Sequence, residues 1–124
     1  TIIGRKDDMI ISSGENIYPT EVEAVLNTHA KVKDCIVTSV PDKIRGQIVT
    51  AYIVPVASIE EAEHGLAEEL DEFCKESNEI ANFKRPRYYR FVSQIPFNAT
   101  GKKLHVKIKE IASRDQKNGL LYRV

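Results

Sequence analysis

The sequence contains no tryptophan, only two cysteines and no long apolar run. Cys35 and Cys74 are too few and too far apart for a disulfide framework or a cysteine metal site, so we interpret both as small buried side chains in a reducing compartment. No stretch of about 18 apolar residues predicts a membrane span, and no basic start followed by apolar residues predicts a signal peptide. The three histidines lack the spacing of metal ligands. We therefore expect a cytoplasmic protein without a metal site.

The charges balance overall but are unevenly distributed. The formal net charge is zero, which gives no global attraction to nucleic acid or membrane surfaces. Residues 60–79 contain nine acidic residues and one basic residue, whereas residues 84–109 contain eight basic residues and no acidic one. The two segments could pack together and neutralise each other, or the basic segment could form a surface for an anionic ligand such as a nucleotide. Composition does not decide between these interpretations.

The length of 124 residues, with 42% hydrophobic and 29% charged residues, is typical of one globular domain with a modest core. Thr1 is not a natural initiator, so we expect a fragment of a longer protein. Turn-forming residues between two short apolar stretches predict a β-hairpin near Gly14. Thr20 with Glu23, and Ser58 with Glu61, have the spacing of capping boxes at helix starts.

Periodicity supplies the remaining elements. Apolar residues at steps of three and four, and β-branched runs, predict the following helices and strands. The helices are 20–28, 58–76 and a last one beginning near 104, and the strands are 32–40, 47–56 and 88–92. We predict an α+β fold in which an N-terminal hairpin precedes a sheet of about three strands packed with helices.

Three ordered segments carry the functional argument. They are residues 4–23 (GRKDDMIISSGENIYPTEVE), residues 40–47 (VPDKIRGQ), and residues 83–102, which begin with FKRP and end with IPFNATGK. Their order and spacing resemble the C-terminal domain of the adenylate-forming superfamily, and the resemblance covers nearly all of residues 2–112. That superfamily includes acyl- and aryl-CoA synthetases, adenylation domains of peptide synthetases and beetle luciferases.

The resemblance implies part of an ATP-dependent acid–thiol ligase. In such enzymes a carboxylic acid and ATP form an acyl-adenylate, and a thiol, here CoA, then displaces AMP. The small domain rotates between the two steps, which completes the site and shields the intermediate from water. ATP and CoA would be substrates, and Mg²⁺ is expected in the full-length enzyme but not bound by this domain. The implied partner is a large N-terminal domain of the same polypeptide, which nothing in residues 1–124 resembles; the isolated domain would then be inactive.

The resemblance also assigns roles for the adenylation step. Lys102 matches the adenylation lysine, and a mobile point charge suits the negative charge that builds at the carboxylate and α-phosphate. Asp7 matches the hinge position, where aspartate tolerates unusual backbone dihedrals. Arg5 is a candidate contact for a nucleotide phosphate or for the hinge. The alternatives are a solvated lysine on a turn for Lys102, a surface aspartate for Asp7 and a surface salt bridge for Arg5.

Three further residues are candidates for binding CoA. Gly14 matches the glycine beside the pantetheine tunnel, where a side chain would narrow the channel. Phe83 could stack on adenine and Arg85 could pair with a phosphate. The alternatives are a simple turn glycine, a core phenylalanine and a surface arginine.

Two other functions stay open at the level of sequence. The chain could belong to an adenylating domain that loads a carrier protein, although the sequence from Asn16 to Pro19 favours a CoA ligase. It could also be a free-standing binding module that kept the fold without the chemistry. The acid substrate would be selected by the missing large domain.

Overall fold

The computed structural model describes residues 9–12, 14–77, 80, 84–95 and 105–124 of the chain. Its elements follow in the order β1 (Ile10–Ser12), β2 (Glu15–Ile17), α1 (Pro19–Leu26), β3 (Val32–Asp42), β4 (Gly46–Pro55), α2 (Ile59–Ala62), α3 (Leu66–Glu76), β5 (Tyr88–Phe91), α4 (His105–Lys117) and β6 (Tyr122–Arg123). The predicted α+β fold is confirmed. In the part of the chain described here, no helix is both long and apolar enough to cross a bilayer.

The strands form two sheets. β1 and β2 form the predicted antiparallel hairpin, and the second sheet has the order β3-β4-β5-β6. β4 and β5 run parallel, while the other neighbours in this sheet are antiparallel. The prediction of about three strands missed β6, because a two-residue strand is too short to carry a periodic signal. β6 is held by pairing with β5 and by the Val124 N–H, which donates to the Arg87 carbonyl at 3.0 Å.

Both faces of the four-stranded sheet are buried, and β4 shows this most clearly. Successive residues of β4 point to opposite faces of the sheet, and they belong alternately to two hydrophobic clusters. Val49, Ala51 and Ile53 belong to a cluster with the hairpin, α1, α2 and α3. Ile48, Tyr52 and Val54 belong to a second cluster with α4. The sheet therefore lies between a helical layer that also holds the hairpin and a layer formed by α4.

The start of α1 differs from the prediction. The helix begins at Pro19, with Tyr18 as its N-cap residue. Glu21 caps the start of the helix, because its Oε2 accepts a hydrogen bond from the Tyr18 N–H at 3.1 Å. Proline at the first helical position is favoured because its missing N–H would have no helical partner there. The predicted box of Thr20 and Glu23 is therefore wrong by two residues.

The predicted helix over residues 58–76 is in fact two helices. Its start is confirmed, since Ser58 Oγ accepts from the Glu61 N–H at 3.2 Å. The helix then ends at Ala62 and restarts at Leu66 after Gly65, whose φ is +116°. A positive φ interrupts the right-handed helix, and glycine adopts it without a Cβ penalty. The apolar stripe continues across the break through Ala62, Leu66 and Leu70, which are all buried.

Candidate functional site

The glycine turn of the hairpin is an exposed feature on a fixed support. Gly14 has φ of +81°, and a Cβ added there would meet nothing within 4 Å. The hairpin is fixed to β4, because the Ile11 N–H donates to Gln47 Oε1 at 2.7 Å. Gln47 in turn donates through Nε2 to Ser39 Oγ at 3.0 Å. The structure thus brings together the described parts of the first two segments, residues 4–23 and 40–47.

The turn between β3 and β4 lies at the same end of the sheet. Asp42 organises it, since Oδ2 accepts from the Ile44 N–H at 3.1 Å and from the Arg45 N–H at 2.8 Å. The hydrogen bond from Arg45 is the main reason that the pKa of Asp42 is lowered. The ordered turn presents Ile44, which is 94% exposed. Gly46 ends the turn against Ile11, whose carbonyl would lie 3.7 Å from an added Cβ.

Lys84 and Arg85, the first described residues of the third segment, form ion pairs. Lys84 Nζ lies 2.8 Å from Glu21 Oε1. Arg85 Nε lies 3.1 Å from Asp71 Oδ1, with each side chain only 12–13% exposed, although the pair is not aligned as a hydrogen bond. Lys75 Nζ lies 3.3 Å from the other Asp71 oxygen. Arg85 of the basic segment therefore meets an acid of the acidic segment, which supports local neutralisation at this point.

Three other arginines lie close enough to the next basic residue, Arg87, to affect its charge. Burial is the main cause that lowers the pKa of Arg87, and the positive charges of Arg85, Arg45 and Arg123 add to it. We call Arg45, Arg85, Arg87 and Arg123 the arginine cluster. β6 contributes Arg123, which pairs with Tyr88 across the strands and places its Cζ 5.5 Å from the Tyr88 ring centroid. Such a concentration of guanidinium groups can bind phosphate groups.

The sequence alone did not single out Arg45, Arg87 or Arg123 for an individual role. The spacing of Arg85 and Arg87, two residues apart beside a strand, was an available signal for a shared face. Arg45 and Arg123 come from distant turns and strands, so only the sheet topology reveals their proximity. The basic segment is thus neutralised at Arg85 and carries excess positive charge around Arg87.

Four predicted site residues lie outside the described residues: Arg5, Asp7, Phe83 and Lys102. Gly14 and Arg85 are the two that the structure places. In sequence, Lys102 comes three residues before His105, where α4 begins. The roles of all six residues stay predictions.

Comparison with known proteins gives consistent results. The family described as AMP-binding enzyme C-terminal domain matches residues 21–102. The chain is 43% identical over 107 residues to a 2-succinylbenzoate–CoA ligase of Bacillus licheniformis, covering 86% of this chain and 21% of that protein. It is 41% identical over 113 residues to a mitochondrial medium-chain acyl-CoA ligase of Macaca fascicularis, covering 91% of this chain and 17% of that protein.

Structural similarity agrees. The fold superposes on a Mycobacterium tuberculosis fatty acyl CoA synthetase with a TM-score of 0.77 and 35% identity, over 89% of this chain and 20% of that structure. The chain belongs to the AMP-binding enzyme C-terminal domain family. It spans about a fifth of the length of the relatives it matches.

Proposed function

We propose that this chain is the C-terminal domain, residues 1–124, of an ATP-dependent acid–thiol ligase that makes acyl-CoA. The observation that carries the proposal is the arginine cluster, because CoA is a thiol that bears several phosphates. The names of the similar proteins, which are CoA ligases, support the same acceptor.

The first step is formation of the acyl-adenylate. The substrate carboxylate attacks the α-phosphorus of ATP, and pyrophosphate leaves. Lys102 would place its ammonium group beside the oxygens on which negative charge grows. Arg5 would contact the nucleotide phosphate from the segment before the hairpin. A large N-terminal domain of the same polypeptide would hold the acid and ATP.

The second step transfers the acyl group. The CoA sulfur attacks the acyl carbonyl carbon, and AMP leaves with the phosphate oxygen. Rotation about Asp7 would replace Lys102 by the Gly14 turn at the reacting centre. The open space at Gly14 would leave room for the pantetheine arm, while Phe83 would stack on adenine. Arg87 would bind a phosphate of CoA, and Arg85 would do so by exchanging Asp71 for a phosphate.

Magnesium is assigned to the rest of the proposed enzyme. In the described part of this chain, no group of three or more histidine, cysteine, aspartate or glutamate residues could hold a metal ion. Mg²⁺ would accompany ATP in the large domain and neutralise the phosphate charges.

The cytoplasm is the proposed location, since Cys35 and Cys74 are both small buried side chains, as expected for cysteines in a reducing compartment. One of the similar proteins is mitochondrial by name. Fractionation of cells that express the full-length polypeptide decides between the cytoplasm and an organelle.

Separate assays of the two half-reactions test the function. The full-length polypeptide that carries this chain is compared with its Lys102→Ala variant and with Lys103→Ala as the control. We expect Lys102→Ala to lower acyl-adenylate formation by on the order of a hundredfold or more. Thioester formation from preformed acyl-adenylate should be largely retained, and Lys103→Ala should affect neither.

Three results contradict the proposal. If Lys102→Ala leaves adenylation unchanged, the assignment of the lysine is wrong. If the wild-type enzyme forms adenylate but transfers the acyl group only to a carrier protein, the acceptor is wrong. Absence of both half-reactions in the full-length protein would favour a binding module.

A further inference from the structure

A buried polar contact ties α4 to the sheet. The Tyr52 hydroxyl donates to Asp115 Oδ2 at 2.6 Å, across 63 residues of sequence. Tyr52 is 1% exposed and Asp115 is 5% exposed. Arg90 Nε lies 3.6 Å from the same oxygen and offsets its charge. Burial and the Asp115 hydrogen bond both raise the pKa of Tyr52, so the hydroxyl keeps its proton and remains a donor.

The rest of the α4 face that meets the sheet is apolar. Ile108 and Ala112 are buried in the cluster that contains Tyr52. With Asp115 they follow the spacing of one helix face. Burial of apolar surface is largely non-directional. A short, charge-assisted hydrogen bond adds a directional constraint to this packing, because its geometry is narrow.

The directional contacts of α4 in the described structure lie near its C-terminal end. Besides Asp115, Gln116 Nε2 donates to the Pro41 carbonyl at 2.9 Å, but that contact is exposed. Asp115 is about 15 Å along the helix from His105, at a rise of about 1.5 Å per residue. A rigid helix converts a small tilt at the anchor into a larger shift at its start.

We propose that Tyr52 and Asp115 are positioning residues for the adenylation step. They fix the placement of α4, whose first residue, His105, follows Lys102 by three residues in sequence. The inference rests on the proposed function, because it needs Lys102 to be the adenylation lysine. A displacement of a catalytic group by about 1 Å can lower a rate by on the order of a hundredfold. The thioester step, which would use the other face of the domain, does not depend on this placement.

The test uses Tyr52→Phe in the full-length polypeptide, because this change removes the hydroxyl and keeps the ring in the core. We expect adenylate formation to fall by on the order of tenfold. Thioester formation from preformed acyl-adenylate should change by less than about twofold. Asp115→Leu, which removes the acceptor, and its double variant with Tyr52→Phe should each show about the same loss as Tyr52→Phe, since the pair acts as a unit.

Tyr89→Phe is the matched control. Tyr89 is also a fully buried tyrosine of the same sheet, but it belongs to the cluster on the opposite face from α4. The Tyr89→Phe substitution should leave both half-reactions unchanged. Amide hydrogen exchange gives a second readout, in which the amides of α4 should exchange faster in Tyr52→Phe than in Tyr89→Phe.

The outcomes separate the two proposals. If Lys102→Ala abolishes adenylation while Tyr52→Phe leaves it normal, the positioning role is wrong and the proposed function stands. Equal losses in both half-reactions of Tyr52→Phe would mean a general structural role and would also overturn the inference. If Lys102→Ala itself leaves adenylation intact, the proposed function and this inference fail together.

Discussion

Glu23 on α1 accepts a hydrogen bond through Oε2 from the Val37 N–H on β3, at 2.8 Å. Glu23 is 6% exposed and Val37 is fully buried. β3 is an edge strand of its sheet, so no strand among the described residues pairs with Val37 on that side. A helix carboxylate therefore satisfies a backbone donor that a further strand would otherwise pair with, and it blocks that edge.

Glu23→Ala should lower the free energy of unfolding by about 1–3 kcal/mol, because it leaves a buried N–H without this acceptor. Urea unfolding of the 124-residue chain measures the loss. Glu60→Ala, which removes an exposed glutamate of α2, is the control and should change stability by less than about 0.5 kcal/mol. Equal effects of the two substitutions would show that the Val37 contact contributes nothing.

Glu23 also shows what a local sequence pattern does not predict. The spacing of Thr20 and Glu23 fits a capping box, and the helix it predicted is present at nearly the right place. The partner of Glu23 is Val37, on another element, and no local pattern encodes that contact. Local periodicity predicted the helix, whereas tertiary packing decided what the carboxylate binds.

The same distinction applies to the fold and the site as a whole. Alternation and apolar spacing predicted every element except β6. They missed the break at Gly65 because the apolar stripe continues from α2 into α3 without interruption. The glycine turn was predictable because turn chemistry is local. The arginine cluster and the Tyr52–Asp115 pair were not, because both join residues that are far apart in sequence.

Removing Arg87 should weaken the use of CoA. Loss of one charge-assisted phosphate contact is worth roughly 1.4 kcal/mol, so Arg87→Gln should raise the KM for CoA by about tenfold in the full-length enzyme. Relief of repulsion within the arginine cluster should leave the protein at least as stable. Steady-state kinetics with CoA varied, together with thermal unfolding, measure both quantities.

Pantetheine provides the control for Arg87, because it carries the same thiol without the nucleotide phosphates. The wild type and Arg87→Gln should use pantetheine equally well. Arg114→Gln, which removes an exposed arginine of α4 outside the cluster, should leave the KM for CoA unchanged. An equal loss with CoA and pantetheine would rule out a phosphate contact.

Cys74 should make the chain less stable at alkaline pH. Burial raises its pKa from 9.0 to about 11. Between these values the unfolded chain releases the thiol proton while the folded chain keeps it, so stability falls as pH rises through this interval. Buried Tyr52 and Tyr89, whose pKa values are also raised, add to the loss above pH 10.0.

Urea unfolding between pH 8 and pH 11 tests the effect of Cys74. Cys74→Ala should show a shallower decline than the wild type over this range, with the tyrosine contribution remaining. The native thiol should also react slowly with iodoacetamide at pH 8, because the thiolate is the reactive form. Rapid alkylation of Cys74 in the folded protein, or an unchanged pH slope in Cys74→Ala, would contradict its burial as a neutral thiol.

Gly14 can be separated from an ordinary turn glycine by comparison with Gly119. Both have positive φ, +81° and +69°, and a Cβ added at either meets nothing within 4 Å. Ala at each position should therefore cost a similar amount of stability, roughly 1–2 kcal/mol, from backbone strain alone. If Gly14 borders the pantetheine arm, only Gly14→Ala should slow thioester formation from preformed acyl-adenylate, and Gly14→Val should slow it further while adenylation stays normal. Equal behaviour of Gly14→Ala and Gly119→Ala in both half-reactions would show that Gly14 serves the turn and nothing more.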